Sequence, residues 1–133
     1  MRGQVAFEYM VIVILVLLFL VPVWIYITNM QNETNTEFIL SYSKLATKEL
    51  TSSADLLYSQ GPPAKISADI YIPSNVQEII IQNNSVIFKV YFKNTITDVF
   101  STSDSQLNGS LPSNEGNYRV TMEAMDGFVQ IGI

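Results

Sequence analysis

The side chains that most often carry catalysis are missing, because the chain has no histidine and no cysteine. That removes the imidazole base, the thiolate nucleophile and the usual transition-metal ligands. Hydrolytic chemistry would have to run on carboxylates, Lys, Ser and Tyr alone. The carboxylates Asp98, Asp104, Glu115 and Asp126 stand singly in or beside turn-forming residues, with no pair at a motif spacing. Local hydrogen bonding in turns accounts for such residues. A calcium loop at Asp104 with neighbouring carbonyls is the one metal chemistry on offer, and no motif supports it. The reading is therefore a protein that is not an enzyme and uses no cofactor. The net charge is −5, and the seven basic residues are scattered, which excludes a nucleic-acid surface.

Two kinds of residue remain. Three Asn-x-Ser/Thr sequons, at Asn32, Asn83 and Asn108, are candidate N-glycosylation sites in polar segments. Glu8 is the other: it lies at the edge of a long apolar run, where a carboxylate is costly unless it finds a partner. The sequence Gly3-Gln4 stands immediately upstream.

The element that must position Glu8 is the apolar run itself. No charged residue occurs from Tyr9 to Asn32, and residues 9–27 read YMVIVILVLLFLVPVWIYI. About 20 such residues in a helix span a hydrocarbon core of roughly 30 Å. A buried helix of a soluble domain would show a polar face, and this segment shows none. Arg2 precedes the run while Glu33 and Glu37 follow it, which places the N-terminus in the cytoplasm and the bulk of the chain outside. Trp24 and Tyr26 fit an interfacial aromatic belt. A cleaved secretory signal fits poorly, because the apolar stretch is long and no small-x-small site follows it.

The stretch Arg2-Gly3-Gln4-Val5-Ala6-Phe7-Glu8-Tyr9-Met10 resembles the class III (prepilin) signal of archaeal type IV pilin-like proteins. In that family a short basic leader ends in Gly, the mature chain starts at Gln, and a Glu follows before the apolar helix. Ala6 stands where the family usually has Ser, and Ile12 where it has Leu. The resemblance implies a leader of residues 1–3, cut between Gly3 and Gln4 by a prepilin peptidase. It also implies polymerisation of the subunits through their N-terminal helices, driven by a secretion ATPase and a membrane platform protein. Cleavage would free an α-amine at Gln4, and Glu8 of a neighbouring subunit would be its assembly partner. In an apolar core that pair would be poorly screened.

Beyond the span, helical periodicity returns over residues 36–58. Phe38, Tyr42, Leu45, Leu50, Ala54 and Leu57 form the expected apolar stripe. Gln60-Gly61-Pro62-Pro63 ends the helix, since Gly suits the C-cap and the prolines forbid continuation. The period then changes to two. Strands are expected at 66–72, 76–82, 86–93, 95–101, 118–124 and 128–133, with a polar loop over 102–116 and an Asp-Gly turn at 126–127. The expected architecture is α+β: a long N-terminal helix over 4–60, then a small antiparallel β-sandwich-like domain over 64–133, extracellular, of roughly five to seven strands. The expected function is a structural subunit of an archaeal type IV pilus-like surface filament, acting in adhesion. Its precursor would sit in the cell membrane as a single span. The alternative is a single-span, membrane-anchored extracellular binding domain that does not assemble.

Overall fold

The computed structural model describes residues 2–133; Met1 of the expected leader lies outside them. One helix, α1 (Arg2–Gln60), precedes seven strands. Pro22 lies inside α1 without ending it, although it has no N–H to give to the carbonyl one turn earlier. The chain divides into two compact units, Met1–Thr36 and Glu37–Ile133. The boundary between these units falls inside the helix, so residues 37–60 of α1 belong with the β domain.

In the first unit α1 stands alone, and every residue from 3 to 27 is exposed. Among the described residues it is the one helix long and apolar enough to cross a membrane. Thr28, Thr34 and Thr36 turn their hydroxyls back to carbonyls one turn earlier. This satisfies polar side chains where no tertiary partner exists.

In the second unit the same helix has a sharply defined inner face. Ser43, Ala46, Thr47, Leu50, Thr51, Ala54 and Leu57 are buried, at spacings of three and four residues. Of the expected stripe, Leu50, Ala54 and Leu57 are buried in the domain, whereas Phe38, Tyr42 and Leu45 are 54%, 45% and 60% exposed. Small and hydroxyl residues take the inner positions instead. Thr47 and Thr51 can be buried because each donates its hydroxyl to the carbonyl four residues back. Gly61, at φ 73°, closes the helix by donating its N–H to Leu57 O at 3.0 Å.

The strands are β1 (Lys65–Ile72), β2 (Val76–Gln82), β3 (Ser85–Phe92), β4 (Thr95–Thr102), β5 (Gln106–Gly109), β6 (Gly116–Ala124) and β7 (Phe128–Gly132). They form a four-stranded sheet, ordered β1-β6-β7-β5, and a three-stranded sheet, ordered β2-β3-β4. Strand β5 lies within the stretch expected to be a loop, and it pairs with β7 in parallel. The first sheet is therefore mixed, where an antiparallel one was expected. Gly109 shows why that pairing needs glycine: a Cβ there would fall 1.9 Å from Ile131 O. Two-residue turns join β2 to β3 and β3 to β4. Lys93 and Asn94 both have positive φ, the conformation a tight hairpin of this twist requires.

The two sheets meet along one side. Asn83 O, in the β2–β3 turn, accepts from Leu107 N on β5, while Asn84 O accepts from Ser103 N at 2.7 Å and prolongs the β3–β4 ladder. The helix lies at the opposite side, between the outer strands β1 and β4. Thr51 meets Ser101, their hydroxyls 2.8 Å apart, while Ser103 donates to Asp55. Four helical residues advance about 6 Å and two strand residues about 6.7 Å, so α1 and β4 run alongside each other in the same direction. Towards β1, Tyr42 meets Tyr71 edge-on with centroids 5.4 Å apart. One core results, in which Leu50 and Leu57 pack with Ile70, Val86, Phe88, Val120, Met122 and Ile131.

Candidate functional site

The candidate assembly residues lie on the first turns of α1. Gly3 is helical, and a Cβ added there would meet nothing within 4 Å. Gln4 and Glu8 are both exposed. Four residues apart in a helix, they share a face and are separated by about 6 Å along the axis. Phe7, Val11 and Ile12 border Glu8, so its carboxylate interrupts an otherwise apolar surface. Among the described side chains, Glu8 forms no hydrogen bond or ion pair.

The sequons occupy three different settings, all exposed. Asn32 lies within α1, and Thr34 of its sequon donates its hydroxyl to Met30 O at 2.8 Å. Asn83 has φ 55° in the β2–β3 turn, and Asn108 lies on β5. The last two border one depression of about 290 Å³ with Gln106, Leu107 and Phe128. Residues distant in sequence are thereby brought together, while Asn32 stays apart in the other unit.

The isolated carboxylates do not converge. Among the described residues there is no group of three or more acidic side chains placed to hold a metal ion. Asp98 points outward from β4, and Asp126 sits in the β6–β7 connection. Glu115 accepts the Tyr71 hydroxyl at 3.2 Å. Burial of the ring, with that carboxylate beside it, pushes the Tyr71 hydroxyl above its usual range. Asp104 contributes its backbone N–H, which donates to Asp55 Oδ1 at 2.8 Å.

Sequence reading missed this last group. Asp55 accepts from the Ser103 hydroxyl and from Asp104 N, while Ser105 N donates to Ser103 Oγ at 3.1 Å. Ser103 and Ser105 are buried. The network holds the β4–β5 connection against the helix, with the Asp55 carboxylate shared between the Ser103 hydroxyl and the backbone N–H of Asp104. Asp69 and Arg119, on paired strands β1 and β6, form a second unforeseen pair, 2.9 Å apart. The guanidinium donates to the carboxyl and holds it below the usual carboxylate range.

The chain matches no protein-family model, no curated protein and no solved structure.

Proposed function

We propose that this chain is a structural subunit of an archaeal type IV pilus-like surface filament, held in the membrane by its N-terminal helix before assembly. One observation carries the reading: residues 5–27 form an exposed stretch of helix that is apolar on every side, interrupted by the single carboxylate of Glu8. A helix polar on no face needs an apolar environment all round. A bilayer supplies one before assembly, and a bundle of identical helices supplies one afterwards. A simple anchor accounts for the apolar length but gives no use to Glu8 beneath it. In the filament reading, cleavage after Gly3 leaves a cation at Gln4, and the carboxylate of an axially shifted neighbour meets it. The contact has low screening and fixes register between subunits. A carboxylate near the start of a helix is also favoured by the helix dipole. The β domain, joined to the same helix, would be displayed on the outside, where adhesion takes place.

The test is the N-terminal residue of native protein, read by mass spectrometry in membrane and sheared cell-surface fractions. A chain beginning at Gln4 in the sheared fraction is expected. A chain beginning at Met1 and confined to membranes would sink the filament reading and leave a single-span anchored domain.

A further inference from the structure

The three-stranded sheet has an outer face that the domain leaves uncovered. Three cross-strand pairs on β3 and β4 form it: Ile87 with Phe100, Lys89 with Asp98, and Tyr91 with Ile96. Phe100 is 68% exposed, Ile96 52% and Tyr91 42%. Soluble surfaces rarely gather this many large apolar groups without a partner. Between the two apolar rows runs a charged one. Lys89 reaches Glu78 on β2 at 3.0 Å, whereas Asp98, on its other flank, forms no ion pair among the described residues.

We propose that this face pairs with the same face of a second copy, about a two-fold axis running parallel to the strands between β3 and β4. Such a rotation keeps position along the strands and exchanges β3 for β4. Lys89 then stands over Asp98 of the second copy, Ile87 over Phe100 and Tyr91 over Ile96, and each contact occurs twice. The arrangement works because every row joins unlike partners, so turning the face on itself brings cation to anion and aromatic to aliphatic. An axis along β3, or across the strands, would instead set Lys89 over Lys89, and one along β4 would set Asp98 over Asp98. Sheets packed face to face lie about 10 Å apart and tolerate a rotation of about 30°, which three short strands accommodate. A contact of this symmetry closes after two copies and cannot extend a filament. Should the chain assemble as proposed above, the contact would join subunits of neighbouring filaments side by side. The pairing itself does not depend on that assembly.

The full chain in detergent micelles is the material for the test, with sedimentation across a range of protein-to-micelle ratios as the readout. Dimers are expected for the natural sequence. Lys89→Glu or Asp98→Lys alone should weaken dimerisation about tenfold, as two exposed ion pairs become repulsions, and the double swap should restore it. Because the chain lacks cysteine, Lys89→Cys and Asp98→Cys can be made singly and mixed. A short bismaleimide should join copies in each variant and in the mixture, since a sheet spacing of about 10 Å and a strand spacing of about 4.8 Å keep both like and unlike positions within reach. Single reversals that leave self-association unchanged would overturn the proposal, as would the absence of any crosslink at either position. Filaments that begin at Gln4 yet show no such crosslink would remove this contact and leave the filament reading standing. Crosslinking in a membrane-bound chain that begins at Met1 would do the reverse.

Discussion

Gly3 and Glu8 make opposite demands on their surroundings, and the difference is testable. A Cβ at Gly3 would meet nothing within 4 Å, so Gly3→Leu should leave fold and membrane insertion intact. Loss of processing in that variant, seen as a chain that keeps Met1, would place the need for glycine in a peptidase and not in the helix. Glu8→Ala should be processed normally and yet yield few filaments, because the freed amine then lacks its counter-charge; normal filament yield would count heavily against the mechanism. Elsewhere, Asp69 gives a local check on the β1–β6 register. Its carboxyl, ordinarily titrating near 3.8, is held lower by the hydrogen bond and charge of Arg119. A carboxyl whose folded value is depressed lends its stabilisation above 3.8 and loses it as pH falls through the lowered value. Carbon-detected titration of the full chain should place the Asp69 midpoint below 3.8 and return it to about 3.8 in Arg119→Ala. An unchanged midpoint would mean that the pair is absent in solution.

The helix over 37–60 distinguishes a residue's type from its position. Leu50 is fully buried and Leu45 is 60% exposed, although both are leucines in the same amphipathic stretch. Leu50→Ala should therefore destabilise the domain by about 2–5 kcal/mol, and Leu45→Ala should stay within about 0.5 kcal/mol. Denaturant unfolding followed by the signal of the β domain would check both, and equal effects would mean the wrong face is inside. Sequence alone placed the helix, its Gly61 stop and six of the seven strands near their observed positions, since those rest on local periodicity and turn chemistry. It left Ser43, Thr47 and Thr51 out of the inner face because periodicity counts them as polar. Back-bonding to the preceding turn makes them acceptable inside. It missed β5 because Gln106-Leu107-Asn108-Gly109 carries a single inward apolar residue, Leu107. That strand exists through its parallel pairing with β7, a long-range contact that no local pattern announces. The Asp55–Ser103 network was hidden for the same reason, its members lying 48 residues apart. The candidate assembly residues were legible because they sit within one short stretch, where a carboxylate interrupts an apolar run.

The two units differ in what stabilises them, and a truncation separates the two causes. Every buried side chain of the core lies at Ala46 or later, and the partly buried ones packed on it begin at Ile39. The segment before Glu37 therefore contributes nothing to that core, and its apolar side chains stand exposed. Burying a large aliphatic side chain is worth about 1.5–3 kcal/mol. The segment can collect that only from lipid or from other copies. A chain of residues 37–133 should accordingly fold cooperatively and remain soluble without detergent, with its unfolding transition within a few degrees of that of the full chain in micelles. The new N-terminus would fray over its first turn, since Phe38 is half exposed and the inner face begins one turn later. The full chain, by contrast, should precipitate when detergent is withdrawn. If the truncated chain were molten, with dispersed side-chain signals lost from its spectrum, the apolar segment would have to support the domain directly. The division of labour between a self-sufficient β domain and a helix that is complete only among lipids or other helices would then fail.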